Sequence, residues 1–207
     1  MKTITTICAL LVAASLSAQT RDQGQYDMKD VTRVATAALP ALRGLAAKIP
    51  AVIGLTPEEA ASAQLAEPLR VFWVGLDALK NYHAGADPRA LLTDFRTVFY
   101  PVTVAASVRS SITVKQRDAG WMATDFGQPE LAKRVAAARG AGMGEAVLVR
   151  VPALNTYFVG TTTGGSLVLT PIADIPGTEL RANVAAPADT VFAALAARAR
   201  ASNELPT

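Results

Sequence analysis

The sequence predicts an α+β fold: an antiparallel sheet of about six strands with N-terminal helices, one inserted helix and a C-terminal helix packed on it. Two segments, 108–126 and 156–171, alternate apolar and polar residues and fold back at glycine, the signature of β-hairpins. Helical spacing of apolar residues is confined to the N-terminal part, one stretch between the hairpins and the C-terminal end. No repeat period divides the chain. Its 207 residues, 51% of them hydrophobic, suffice for one good core and not for two large domains.

The chain opens "MKTITTICALLVAASLSAQT", in which Lys2 precedes an apolar run from Ile4 to Leu16 and then small residues. That order predicts a secretory signal peptide over residues 1–18, cleaved after Ala18. The run is shorter than the ~20 apolar residues a permanent span requires, and no later run approaches that length, so no transmembrane span is expected after cleavage. Cys8, the sole cysteine, lies inside the signal, which leaves the mature chain without a disulfide, thiolate ligand or cysteine nucleophile. Export without disulfides points to a bacterial periplasm, with release from the cell as the alternative. Residues 19–29 are polar and read as a flexible lead-in to a single domain, 30–207, with an N-terminal helical subregion over 30–66.

Asp30 caps the first expected helix, whose apolar face carries Val31, Val34, Ala38, Leu42, Leu45 and Ile49; Pro40 should kink or split it, and Pro50 ends it. Thr56, Pro57 and Glu59 form a capping box that opens a second helix. "LRVFWVGL", residues 69–76, reads as a buried strand. A loop follows, then a short helix over "DPRALLTDF" capped by Asp87, and the chain returns to extended structure at Tyr100-Pro101. "GQPELAKRVAAARG" is the inserted helix, "EAVLVRV" a strand, and the last helix follows Pro187 with Val191, Phe192 and Leu195 inward.

In the first hairpin, Val108, Ser110, Ile112 and Val114 fall on one side, with Arg109, Ser111, Thr113, Lys115 and Arg117 on the other. A three-residue turn, Asp118–Gly120, pairs Arg117 with Trp121, Lys115 with Ala123, Thr113 with Asp125, Gln116 with Met122 and Ile112 with Phe126. The second hairpin turns at Gly164-Gly165, with Phe158, Leu167 and Leu169 on one face and Val159, Thr161, Val168 and Thr170 on the other.

Few residues suggest chemistry. His83, the only histidine, cannot by itself form a multi-histidine metal site, and as a general base it needs a partner that folding must bring to it. No metal site and no cofactor are expected. The glycines of "RGAGMGE", 139–145, leave a helix and enter a strand, the reverse of a dinucleotide fingerprint. "GTTTGGS" is used up by its hairpin. Ser111 and Lys115 share a strand face but lie about 13 Å apart at ~3.3 Å per residue, too far for a serine–lysine pair. Asp87, Glu130 and Asp118 are explained by caps and a turn. There remains a candidate binding platform on the outer face of the first hairpin: Arg109, Lys115, Arg117 and Trp121, beside Asp125.

The net charge of +3 comes mostly from scattered arginines, so no nucleic-acid partner is expected, while peripheral contact with a membrane surface stays open. The element order resembles that of the PAS-like and profilin-like domains, five-to-six-stranded ligand or scaffold modules; the resemblance lies in order alone and implies no residue motif. The expected function is an exported, non-catalytic binding or sensing module for a small ligand or an envelope protein partner. The alternatives are a periplasmic hydrolase built around His83 or carboxylates, and an envelope structural or assembly factor docking through the charged hairpin face.

Overall fold

The computed structural model describes residues 26–140 and 145–201. The expected signal peptide and residues 19–25 lie outside the described residues. The first helix begins earlier than expected: Asp27, not Asp30, is its cap, its carboxylate accepting from the Lys29 N–H at 2.8 Å. Asp30 sits instead in the first turn, against the positive end of the helix dipole. The expected split occurs, α1 (Met28–Ala37) giving way to α2 (Leu39–Lys48), with Pro40 in the first turn of α2 where its missing N–H costs nothing. A single turn, α3 (Pro50–Ile53), precedes α4 (Pro57–Ala61), whose Thr56–Glu59 capping box is formed in both directions.

The remaining elements are β1 (Gln64–Leu65), β2 (Leu69–Val74), α5 (Leu76–Lys80), a 3-10 turn over Pro88–Leu91, β3 (Leu92–Val104), β4 (Ser107–Arg117) and β5 (Gly120–Phe126). Then come α6 (Pro129–Arg139), β6 (Ala146–Val151), β7 (Thr156–Thr163), β8 (Ser166–Pro171), β9 (Ala186–Pro187) and α7 (Ala188–Ala201). The sheet runs β5-β4-β3-β2-β6-β7-β8-β9, with β1 on β3. All pairs are antiparallel except β2–β6, which joins two antiparallel meanders at the centre. The fold is α+β as expected, but with nine strands among the described residues where about six were expected. Two of the additional strands are two-residue pairings, and the third is β3, the longest strand described. The expected helix over 88–95 shrinks to a 3-10 turn, and β3 starts within it. Pro101 sits inside β3 because its ring nitrogen faces the break between β1 and β2. Its carbonyl points the same way and accepts from Ala66 N at 2.8 Å. No helix among the described residues is long and apolar enough to cross a membrane.

Both sheet faces are covered. On one, Val31, Ala35, Leu42 and Ala46 of α1 and α2 pack on Val98, Tyr100, Val102, Ile112 and Val114. On the other half of that face, α7 lays Val191, Phe192 and Leu195 over Val149, Phe158 and Leu169, as the helical spacing predicts. The opposite face carries α6, with Ala132, Val135 and Ala138 against Leu69, Val71, Phe99, Leu148 and Val159. The second hairpin keeps its expected turn and sorting, with Phe158 and Leu169 beneath α7 and Val159 beneath α6.

The first hairpin departs from expectation in register. Arg117 pairs with Gly120, so the turn is one residue shorter, and Trp121 faces Gln116. A bulge at Thr124 then restores the expected Thr113–Asp125 and Ile112–Phe126 pairs. Because one residue of slip exchanges faces, Trp121 joins Ile112 on the helix-covered side. A second bulge in β4, opposite Val102–Thr103, turns Val108 toward the α6 side. Between these irregularities both serines of "RSSI" are buried. Ser110 Oγ donates to Ile53 O at 2.6 Å, and Ser111 Oγ donates to Gly127 O. Each serine thus clamps one of two segments that cross at the edge of β4.

Tyr100 is fully buried, and its hydroxyl meets Thr32 Oγ1 at 3.1 Å. Burial raises its pKa above the ordinary phenol value near 10, outweighing the Thr32 hydrogen bond. A raised folded-state pKa gives stability that is complete below the unfolded value and is lost as pH rises through the folded one. Stability should therefore fall from about pH 10 upward, and Tyr100→Phe should make that fall shallower at a cost of ~1 kcal/mol near neutrality. Denaturant melts at stepped alkaline pH check this; an unchanged slope in the variant would assign the alkaline loss elsewhere, Tyr26 and Tyr82 being shifted the same way.

Candidate functional site

The four residues expected to form one platform are not brought together. Arg109, beside its bulge, ion-pairs with Glu59 of the α4 capping box at 3.0 Å. Trp121 packs on the other side of the sheet, its ring 4.7 Å from that of Tyr26. Lys115 pairs with Asp125 at 3.1 Å. For Asp125, burial acts to raise the pKa, but bonds from Thr124 and Lys115 prevail and hold it below the usual carboxylate value. Arg117 is exposed at the hairpin end. The expected Arg117–Trp121 stack fails because the two residues point to opposite faces.

His83 is exposed, and its ring makes no hydrogen bond or ion pair among the described residues. Asp87 caps the 3-10 turn through Arg89 N, Glu130 pairs with Lys133, and Asp118 lies in the hairpin turn. No group of three or more His, Cys, Asp or Glu side chains among the described residues is placed to hold a metal. Gly140 ends α6 at φ 63°, and residues 141–144 of the glycine cluster lie outside the described residues.

An arginine–aromatic row does exist, on the α6 face across the centre of the sheet. Trp73 of β2 pairs with Arg150 of β6, which pairs with Tyr157 of β7. The Arg150 guanidinium carbon lies 5.4 Å from the Trp73 ring centre and 5.3 Å from that of Tyr157. Phe95 extends the row, its ring 4.6 Å from Trp73. It is placed there by an irregularity in β3: the β2–β3 register jumps between Val71–Thr97 and Phe72–Asp94, leaving Phe95 and Arg96 unpaired, with Arg96 at φ 49°. The same break aims Asp94 at the opposite face, where its carboxylate takes a 2.6 Å bond from Arg70, which also donates to the Tyr26 hydroxyl. Arg70 is therefore paired. Arg150 is not: no hydrogen bond or ion pair reaches its guanidinium among the described residues, and its Nε is buried without a partner. The rings on either side give the cation π contacts but supply no acceptors for its N–H groups.

Tyr157 is also a wall of a cleft of about 500 Å³, in the size range of small-molecule sites. Its other walls are Leu131 and Arg134 of α6, Leu154–Thr156 at the β6–β7 connection, Ile172–Pro176 after β8, and Arg198 of α7. Thr156 is among its lining residues, and the Thr156 Oγ1 is buried without a hydrogen-bond partner. The cleft acids are engaged, Glu130 with Lys133 and Asp174 with Ala182 N. Arg198 meets only the Pro176 carbonyl, and Arg134 makes no hydrogen bond or ion pair with any described residue. No family model matches the chain, and neither a curated protein nor a solved structure matches it.

The row escaped sequence reasoning because its members come from four segments. A signal was nonetheless present. "LRVFWV" and "AVLVRV" are strands buried on both faces, and each carries a single arginine among apolar residues. A cation in such a place demands a partner, and only Arg70 has an acid.

Proposed function

We propose that the chain is an exported, non-catalytic binding module that holds a small ligand in the cleft between α6, the β6–β7 connection and the segment after β8. The observation that carries this reading is a cleft of ligand size with apolar walls and unpaired Arg134, one of whose lining residues, Thr156, keeps a buried hydroxyl without a partner. Export rests on the charge–apolar–small order of residues 1–18. Against the hydrolase reading, no acid or hydroxyl bonds the His83 ring among the described residues. The assembly-factor reading keeps Lys115 and Arg117 on one side of β4 but loses Trp121 to the other side and Arg109 to its pair with Glu59.

Native mass spectrometry of the mature protein recovered from a bacterial periplasm tests the proposal. The wild type should carry an added mass. Leu131→Trp, which fills the cleft from α6, should lose that mass while keeping the wild-type melting temperature. Absence of any adduct across several growth conditions would defeat the reading, as would an adduct indifferent to Leu131→Trp.

A further inference from the structure

Resting on the cleft as the ligand site, we infer that the ligand is a small oxyanion, a carboxylate or phosphate monoester with an apolar body, and that Arg150 is the residue that reads its charge. The two aromatic rings flank the guanidinium at 5.4 and 5.3 Å. Both lie within cation–π range of it and offer no hydrogen-bond acceptor, so recognition is left to its N–H donors. Of its three nitrogens only Nε is both buried and unpartnered. Nη1 and Nη2 also lack partners among the described residues, so they retain solvent access and present a two-donor fork. A planar carboxylate, or two phosphate oxygens, matches that fork.

The surroundings agree on sign. Arg150 is not itself on the wall of the cleft but lies 5.3 Å from the ring of Tyr157, which is, so an anion on the fork can extend its body past this ring into the cleft. Arg134 adds a second cation to the cleft wall, while Glu130 and Asp174 are held by Lys133 and a backbone N–H. Leu131, Leu154 and Ile172 offer apolar surface to the body. A cationic ligand would find Glu130 already paired and only the Asp174 carboxylate to set against Arg134 and Arg198 on the wall and Arg150 beside Tyr157. A neutral one would leave the fork dry and unpaired.

The test uses 4-phenylbutyrate, phenyl phosphate and the neutral 4-phenylbutanamide as probes, titrated calorimetrically into the mature protein. Wild type should bind at least one of the two anions at least tenfold more tightly than the amide, and which anion wins identifies the head group. Arg150→Gln should weaken that anion about tenfold to a hundredfold and leave the amide unchanged. Arg150→Lys should recover only part of the loss, because a point charge replaces the fork. In a Trp121→Phe background, emission from Trp73 should change with the bound anion. Equal binding of anion and amide, or anion binding unaffected by Arg150→Gln in a protein of unchanged melting temperature, would overturn the inference. If neither anion binds while the co-purifying mass persists in wild type and in Arg150→Gln, the inference falls and the cleft reading stands. If the mass is absent as well, both fall.

Discussion

Gly54→Ala is expected to destabilise the protein by about 2–5 kcal/mol, enough to threaten folding outright in a domain of ordinary stability. Gly54 adopts φ 78°, ψ 18° after α3, a left-handed conformation that an L side chain resists. A β-carbon there would lie 2.5 Å from Pro129 Cβ and 2.7 Å from the Arg109 carbonyl oxygen. Neither neighbour can swing aside, one being a ring and the other backbone. Gly127 meets the same pair of segments from the other side, where a β-carbon would fall 2.8 Å from Val52 O. Glycine is thus needed on both strands of the crossing that Ser110 and Ser111 clamp. Gly177→Ala supplies the comparison: its φ is 75°, but no atom lies within 4 Å of the added carbon. It should show only the conformational cost, ~1–2 kcal/mol. The difference between the two variants in urea unfolding isolates the steric part, and equal losses would refute the close crossing.

Phe192→Ala should cost about 3–5 kcal/mol, the range for deleting a large ring from a packed interior. Phe192 is fully buried on α7, among Val149, Phe158 and Leu169, with the Tyr82 ring edge-on at 5.9 Å. At about 2–4 °C per kcal/mol for a chain of this size, the melting temperature should drop by roughly 6–20 °C. Phe192→Leu, which keeps most of the volume, should lose less than about 1.5 kcal/mol. A loss for the alanine variant no greater than for leucine would mean that the cover over β6–β8 can collapse into the space.

The helices and the second hairpin were legible in the sequence because each rests on local chemistry: a capping box at Thr56, a proline just ahead of α7, glycines at 164 and 165, and uninterrupted alternation. The first hairpin was only half legible. A turn shortened by one residue and a bulge at Thr124 cancel, so the far end of the register reads correctly while Trp121 changes face. No residue type marks a bulge built from threonine. Strand β3 was hidden by Asp94 and Arg96 at its irregularity and by Pro101 in its interior, all of which read as loop. Five-residue α5 is too short to show a period. The binding row was out of reach for another reason: Phe95, Trp73, Arg150 and Tyr157 become neighbours only when strands distant in sequence align, and alternation along one strand says nothing about which strand lies next to it.

The parallel seam between β2 and β6 bears on how the chain reaches its native state. Each meander is assembled from sequence neighbours and can zip locally, whereas the seam must bring residues 70–73 to 147–150. Closing that long loop is entropically slow, so the seam is expected to complete in the final step of refolding. Trp73 and Arg150 face each other across it, so the indole acquires its cationic neighbour only at that moment. Its emission would then serve as a clock for the late docking of two preformed halves.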